Sequence, residues 1–217
     1  MRALKELVHK ARIALSLGGG SDAAKENRKV LQWERQGRQG PAPHSVKQSN
    51  LRQIAETFGL KILVETGTFR GDMVQAMKAN FAEIYSIELS DELYQAAAER
   101  FQLEKHIRIF HGDSGSILNQ ILPELKLPTL FWLDGHYSGN ETARGQTDTP
   151  VLSEVEQIMV SQLPDVCLII DDARYFGVHP EYPSFHQIEQ LVHRYRPTME
   201  LTIVDDAIRV LPNTSPH

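Results

Sequence analysis

Ile62-Leu63-Val64-Glu65-Thr66-Gly67-Thr68-Phe69-Arg70-Gly71 is the stretch whose reading decides the fold. An apolar run gives way to an acid and then to two glycines, the pattern of a buried strand that turns into a helix. A carboxylate beside a turn made of backbone suits a ligand with a hydroxylated, nitrogen-rich portion that must approach the main chain closely. Gly67 and Gly71 are spaced G-x-x-x-G, not the G-x-G-x-x-G of a dinucleotide fingerprint. Arg70 and Asp72 also crowd the place where a pyrophosphate would meet a helix N-terminus.

Outward from this turn, strands and helices alternate. The sequence predicts strands over 61–65, 83–88, 107–111, 129–134 and 165–171, and helices near 71–80, 91–103, 115–122, 150–162 and 183–195. Five such units imply a parallel sheet covered on both faces. The runs 199–204 and 207–211, joined by Asp205-Asp206, read as a hairpin that adds an antiparallel edge. The expected fold is therefore α/β and Rossmann-like, a mostly parallel seven-stranded sheet with an antiparallel C-terminal hairpin. Residues 1–50 are expected to form a helical N-terminal extension to a domain over 51–217. Its helices are predicted over 3–16 and 21–36, with a Gly/Pro linker at 37–44 before a third helix over 46–58. Trp33 is placed to anchor either a subunit contact or a cover over the site.

Charge is uneven along the chain. Residues 1–50 hold 10 Lys/Arg against 4 Asp/Glu, and residues 51–217 hold 13 against 24. So acidic a main body argues against a nucleic-acid surface, which needs a basic footprint. No apolar run is long enough to span a bilayer, and the charged start is not a secretory signal. The single cysteine, Cys167, leaves no internal disulfide and no cysteine-based zinc cluster. A cytoplasmic protein is expected, with a homo-oligomer through the N-terminal helices as one use of the basic arm.

Two further acids follow the next strands. Glu88 ends Ile84-Tyr85-Ser86-Ile87-Glu88, where a carboxylate takes both hydroxyls of a ribose. Asp113, in His111-Gly112-Asp113-Ser114, is placed to accept from an adenine amino group, with Ser114 as a second polar contact. Ligands of open α/β sheets bind beyond the carboxyl ends of the strands, where all of these residues fall. The ordered set points to S-adenosylmethionine. Here the chain resembles the class I S-adenosylmethionine-dependent methyltransferases over about residues 58–211, and its Glu65-to-Gly71 motif is most similar to the macrocin-type (TylF-like) O-methyltransferases and their cephalosporin-hydroxylase-like relatives. The resemblance implies that Glu65, Gly67 and Gly71 line the methionine and ribose side of a pocket; Thr66, Thr68 and Asp134 are further cofactor-binding candidates.

Trp132-Leu133-Asp134-Gly135-His136-Tyr137 ends the fourth strand, and Ile169-Ile170-Asp171-Asp172-Ala173-Arg174 ends the fifth. Neighbouring strands would gather Asp134, Asp171 and Asp172, and three close carboxylates call for a cation. Oxygen ligands suit Mg²⁺ or Mn²⁺ better than zinc, and the resemblance carries an acid on the fourth strand and an acidic pair after the fifth. The alternative for these residues is helix caps plus a cofactor contact. A bound Mg²⁺ would lower the pKa of the hydroxyl to be methylated. His136 is the first candidate for a general base acting beside Asp134, with His179 and His186 as rivals; Tyr137 stands where catechol-type relatives carry a lysine. The loop 135–149, with Arg144 and Asp148, and the segment 174–183 are expected to face the acceptor. The activity so implied is Mg-assisted O-methylation of a sugar, glycan or other polyhydroxylated small molecule. An N-methyltransferase and a non-catalytic cofactor-binding protein of the same fold are the alternatives.

Overall fold

The computed structural model describes residues 21–134 and 150–213, so the expected helix over 3–16, the loop 135–149 with His136, and the last four residues lie outside the described residues. Within that range the chain runs α1 (Ser21–Arg35), α2 (His44–Phe58), β1 (Ile62–Thr66), α3 (Asp72–Met77), β2 (Glu83–Glu88), α4 (Asp91–Phe101) and β3 (Ile107–His111). It continues with α5 (Ser114–Ile121), β4 (Thr129–Leu133), α6 (Val151–Val160), β5 (Val166–Ile170), α7 (Phe185–Tyr195), β6 (Met199–Val204) and β7 (Ala207–Pro212). Strand order is β3-β2-β1-β4-β5-β7-β6, parallel except for the last two strands. The Rossmann-like sheet with its antiparallel hairpin is thus the fold of the chain. The topological switch, where a crevice opens beyond the strand ends, lies between β1 and β4.

Alternation along the strands sends side chains to two helical layers. Leu63, Leu130 and Trp132 pack with Leu51, Ile54, Val74, Met77 and Phe101 from α2, α3 and α4. Val64, Phe131 and Leu133 pack with Leu118, Val155, Ile158, Ile188 and Val192 from α5, α6 and α7. Strands buried on both faces need continuous apolar sequence, which β1, β4 and β5 supply.

α2 crosses the expected boundary at residue 50. Its first turn is held by Glu26 of α1, whose carboxylate accepts from Ser45 N at 3.2 Å and Ser45 Oγ at 3.1 Å. Trp33 turns inward against Val30, Ala42 and Val46 and donates from Nε1 to the Gly40 carbonyl at 3.3 Å. Its burial goes to fastening α1 onto α2, not to a surface contact.

The β6–β7 turn places Asp205 and Asp206 at φ 54° and 61°. Both central residues of such a turn favour Asn or Gly, and aspartate there is strained. The strain is offset by ion pairs and by a hydrogen bond from Asn50. Asp205 meets Arg38 at 3.3 Å, Asn50 at 3.0 Å and Arg209 at 3.6 Å, and Asp206 binds Arg174. The turn thereby ties the far edge of the sheet to α2 and to the segment after β5.

If α2 is part of the core, Leu51→Ala should cost about 2–5 kcal/mol, the usual loss for a fully buried leucine. Urea unfolding measures this, and a loss below about 1 kcal/mol would make α2 a peripheral arm.

Candidate functional site

Glu65 is the last-but-one residue of β1 and is 2% exposed. It stands opposite Ser86 of β2, whose hydroxyl donates to Glu65 Oε2 at 2.5 Å. The Thr68 hydroxyl lies 2.6 Å from Ser86 Oγ. Burial, assisted by Asp134 and Glu88, pushes the Glu65 pKa up to about 8 against the pull of the Ser86 bond. The acid is therefore largely protonated near neutral pH until a cationic group meets it.

The turn beyond Glu65 follows from its backbone. Gly67 (φ 85°) and Gly71 (φ 72°) lie in the left-handed region, and so does Phe69 (φ 48°). A side chain on Gly71 would begin 2.7 Å from the Phe101 ring, so no other residue fits there. Phe69 N–H donates to Glu88 Oε2 at 2.7 Å and Ser90 N–H to Glu88 Oε1 at 2.9 Å. Each carboxylate oxygen keeps a lone pair for a further donor, as two vicinal hydroxyls require. Arg100 binds the Arg70 carbonyl and Asp72 Oδ1, and the Arg70 guanidinium lies over the Phe69 ring.

Asp113 caps α5, its Oδ1 accepting from Ser116 N–H at 3.1 Å, and Ser114 opens that helix. Beside them lies a residue that the sequence reading missed. Glu154 of α6 is buried, and its pKa rises to about 7 because burial outweighs the nearby hydroxyls of Ser114 and Thr66. Glu154 Oε1 and Thr66 Oγ1 nevertheless make no hydrogen bond. The signal was present, since Glu154 shares the apolar stripe of Val151, Val155 and Ile158. The side chains of Thr66 and Thr68 are buried, the Thr68 hydroxyl against Ser86.

Asp134 N–H donates to the Thr66 carbonyl at 3.2 Å, and Asp171 N–H to the Leu133 carbonyl at 3.0 Å. Asp134 and Asp171 thus follow neighbouring strand ends, near enough for the charges of Asp134 and Asp172 to act on Asp171. Their cations are organic: Lys47 of α2 donates to Asp171 Oδ2, and Arg174 reaches Asp172 Oδ1 at 2.7 Å while also binding Asp206. Burial and Asp134 raise the Asp171 pKa, and the acid rim keeps Lys47 charged, its pKa raised despite burial. Asp172 takes φ 59°, a strained conformation that recurs at functional sites. Among the described residues, no three His, Cys, Asp or Glu side chains are grouped to hold a metal. The three aspartates as arranged do not fit the expected divalent ion, because an ammonium already occupies the charge that the ion would meet.

The two rival histidines, His179 and His186, lie in different surroundings. His179 lies among Tyr175 and Tyr182, in the aromatic segment after β5. His186 sits on the outer face of α7 with Glu189 and Gln190. His44, which the sequence reading passed over, opens α2 one turn before Lys47. Its ring is exposed at the surface, yet surrounding protein and then the Lys47 ammonium lower its pKa, against Asp72 and Asp134. No helix among the described residues is long and apolar enough to cross a membrane.

No protein-family model and no curated protein matches the chain. Solved structures match its fold. An O-methyltransferase from Bacillus cereus in complex with S-adenosylhomocysteine is 15% identical, with a TM-score of 0.57 over 86% of this chain and 90% of that one. A Podospora anserina methyltransferase bound to S-adenosylhomocysteine is 14% identical, at 0.55 over 97% and 96%. The O-methyltransferase of tomaymycin synthesis from Streptomyces achromogenes, in complex with S-adenosylmethionine, is 14% identical, at 0.53 over 94% of each. At such identities the likeness is one of fold.

Glu65 makes the free protein sensitive to base. A carboxyl raised from its ordinary value to about 8 contributes stability that is present below pH 4.5 and is lost as pH rises through 8. Glu65→Gln should flatten the fall in melting temperature between those values. Superimposable pH profiles for the two proteins would show that Glu65 is ionised without a ligand.

Proposed function

We propose that the protein is an S-adenosylmethionine-dependent O-methyltransferase acting on a hydroxyl of a sugar or another polyhydroxylated small molecule. The observation that carries this reading is the pair Glu65 and Glu88 at adjacent strand ends. Glu88 is held by two backbone N–H groups with lone pairs to spare for ribose hydroxyls, and Glu65 is buried where the ammonium of the methionine portion would ionise it. A ligand bearing both a sulfonium and an ammonium suits so acidic a pocket. The related folds that hold S-adenosylmethionine or its demethylated product support the same reading. So does the similarity of Glu65-to-Gly71 to the macrocin-type enzymes.

In this reading Asp113 or Ser114 meets the adenine, and Gly67 and Gly71 let the backbone approach the ligand. The acceptor oxygen attacks the methyl carbon opposite sulfur. A carbon–oxygen bond forms, the carbon–sulfur bond breaks with its electron pair kept by sulfur, and the hydroxyl proton passes to a base. Catalysis of this kind is mostly positioning and deprotonation. His136 is the base by sequence. His44 is a second candidate, favoured by its place beside Lys47 and by a lowered pKa that keeps it neutral. Magnesium assistance would require Lys47 to leave Asp171, and no step here runs through a metal.

Calorimetry with S-adenosylmethionine tests the carrying observation. Glu88→Ala should weaken binding by about 2–3 kcal/mol, or about 30- to 150-fold, through loss of charge-assisted hydrogen bonds. Wild-type affinity in that variant would remove the ribose from Glu88. A labelled-methyl screen over glycans, deoxysugar conjugates and phenolics then identifies the acceptor, and transfer only to amines would replace O- with N-methylation.

A further inference from the structure

The ligand-binding strand ends leave one buried pair unused. Lys47 leaves α2 one turn before Leu51, on the stripe that packs against the sheet, and its side chain is 17% exposed. Its ammonium donates to Asp171 Oδ2 and lies 5.8 Å from the centre of the Trp132 ring. The Asp171 side chain is 1% exposed, and its second oxygen, Oδ1, has no hydrogen-bond partner. A buried carboxylate oxygen without a donor is a place prepared for one.

The neighbouring charges are already spoken for. Arg174 binds Asp172 and is itself fixed by Asp206, whose turn is fastened in turn to α2 through Asp205. The rim therefore has a rigid frame, one fixed ammonium and one open acceptor. That combination matches a hydroxyl group, which offers an oxygen to a donor and a hydrogen to an acceptor.

We propose that Lys47 is the resident cation of the acid rim, and that Lys47 Nζ and Asp171 Oδ1 together bind the hydroxyl of the methyl acceptor, in the place where three gathered aspartates would otherwise call for a divalent metal. The proposal rests on the methyl-transfer reading for the identity of the ligand, but the cation role of Lys47 stands on geometry alone. The ammonium donates to the acceptor oxygen and the carboxylate accepts its O–H, so the pair positions the hydroxyl for attack, and its proton passes on transfer to the base. A metal needs the acidic oxygens free, and a second cation beside a fixed ammonium is repelled.

Manganese binding, followed by electron paramagnetic resonance on the full chain, tests this directly. Wild-type protein should leave added Mn²⁺ free in solution. Lys47→Met should create a site that binds Mn²⁺ at least about tenfold more tightly than wild type, and adding Asp171→Asn should abolish it. Lys47→Gln, which keeps a donor for Asp171, should show the same gain if the methionine variant fails to fold. Stoichiometric Mn²⁺ binding by wild type that is lost in Asp171→Asn would overturn the proposal, as would the absence of any gain in both Lys47 variants. In the transfer assay Lys47→Met should raise the acceptor KM at least about tenfold and leave the S-adenosylmethionine Kd within about threefold; an unchanged KM removes Lys47 from the acceptor. S-adenosylmethionine calorimetry on wild type keeps the two readings apart, since its failure sinks methyl transfer without altering the manganese result.

Discussion

Carboxylates gathered at the buried end of a parallel sheet repel one another, and each must find a donor, a cation or a proton. Glu65, Glu88, Asp134, Asp171 and Asp172 all stand at the carboxyl ends of β1, β2, β4 and β5. The structure answers this constraint differently at each. Glu88 accepts from two backbone N–H groups, and Glu65 is pushed towards its neutral form. Asp171 and Asp172 are met by Lys47 and Arg174. The protein thus keeps a strongly acidic crevice at the topological switch while most of its charge is already balanced.

Much of the remaining architecture serves that balance. α2 is needed under the sheet for its apolar stripe, and the same helix delivers Lys47 to Asp171 and Asn50 to Asp205. The β6–β7 turn accepts two strained aspartates and in return anchors Arg174. An apparently peripheral hairpin and a helix preceding the first strand are therefore both part of the site. Hydrophobic burial sets where the strands end, and ion pairing sets what their ends can bind.

The sheet was legible because its cues are local. Three apolar residues before Glu65, the Glu88 strand and the paired turn residues Asp205-Asp206 each declare themselves within a few positions, and strand limits shift by only one residue. The acids at the strand ends were legible for the same reason, since a strand end fixes where the next residue lies. Lys47 and Glu154 were not read, because the groups they meet, Asp171 for the one and Ser114 and Thr66 for the other, are remote in sequence. Lys47 meets a residue 124 positions away. The repulsion among the three aspartates was legible, but the side-chain cations that meet two of them, Lys47 and Arg174, were not. His136 lies outside the described residues, and His44 reached consideration only through its surroundings in space.

The central claim is that the crevice beyond β1 and β2 holds an adenosyl ligand with its ribose on Glu88 and its amino-acid end beside Glu65. A crystal structure of the protein grown with S-adenosylhomocysteine tests it most directly. The account predicts both ribose hydroxyls within hydrogen-bonding distance of the Glu88 carboxylate, with the ligand lying over Gly67 and Gly71. Ligand density elsewhere, or a ribose that leaves Glu88 untouched, would contradict it.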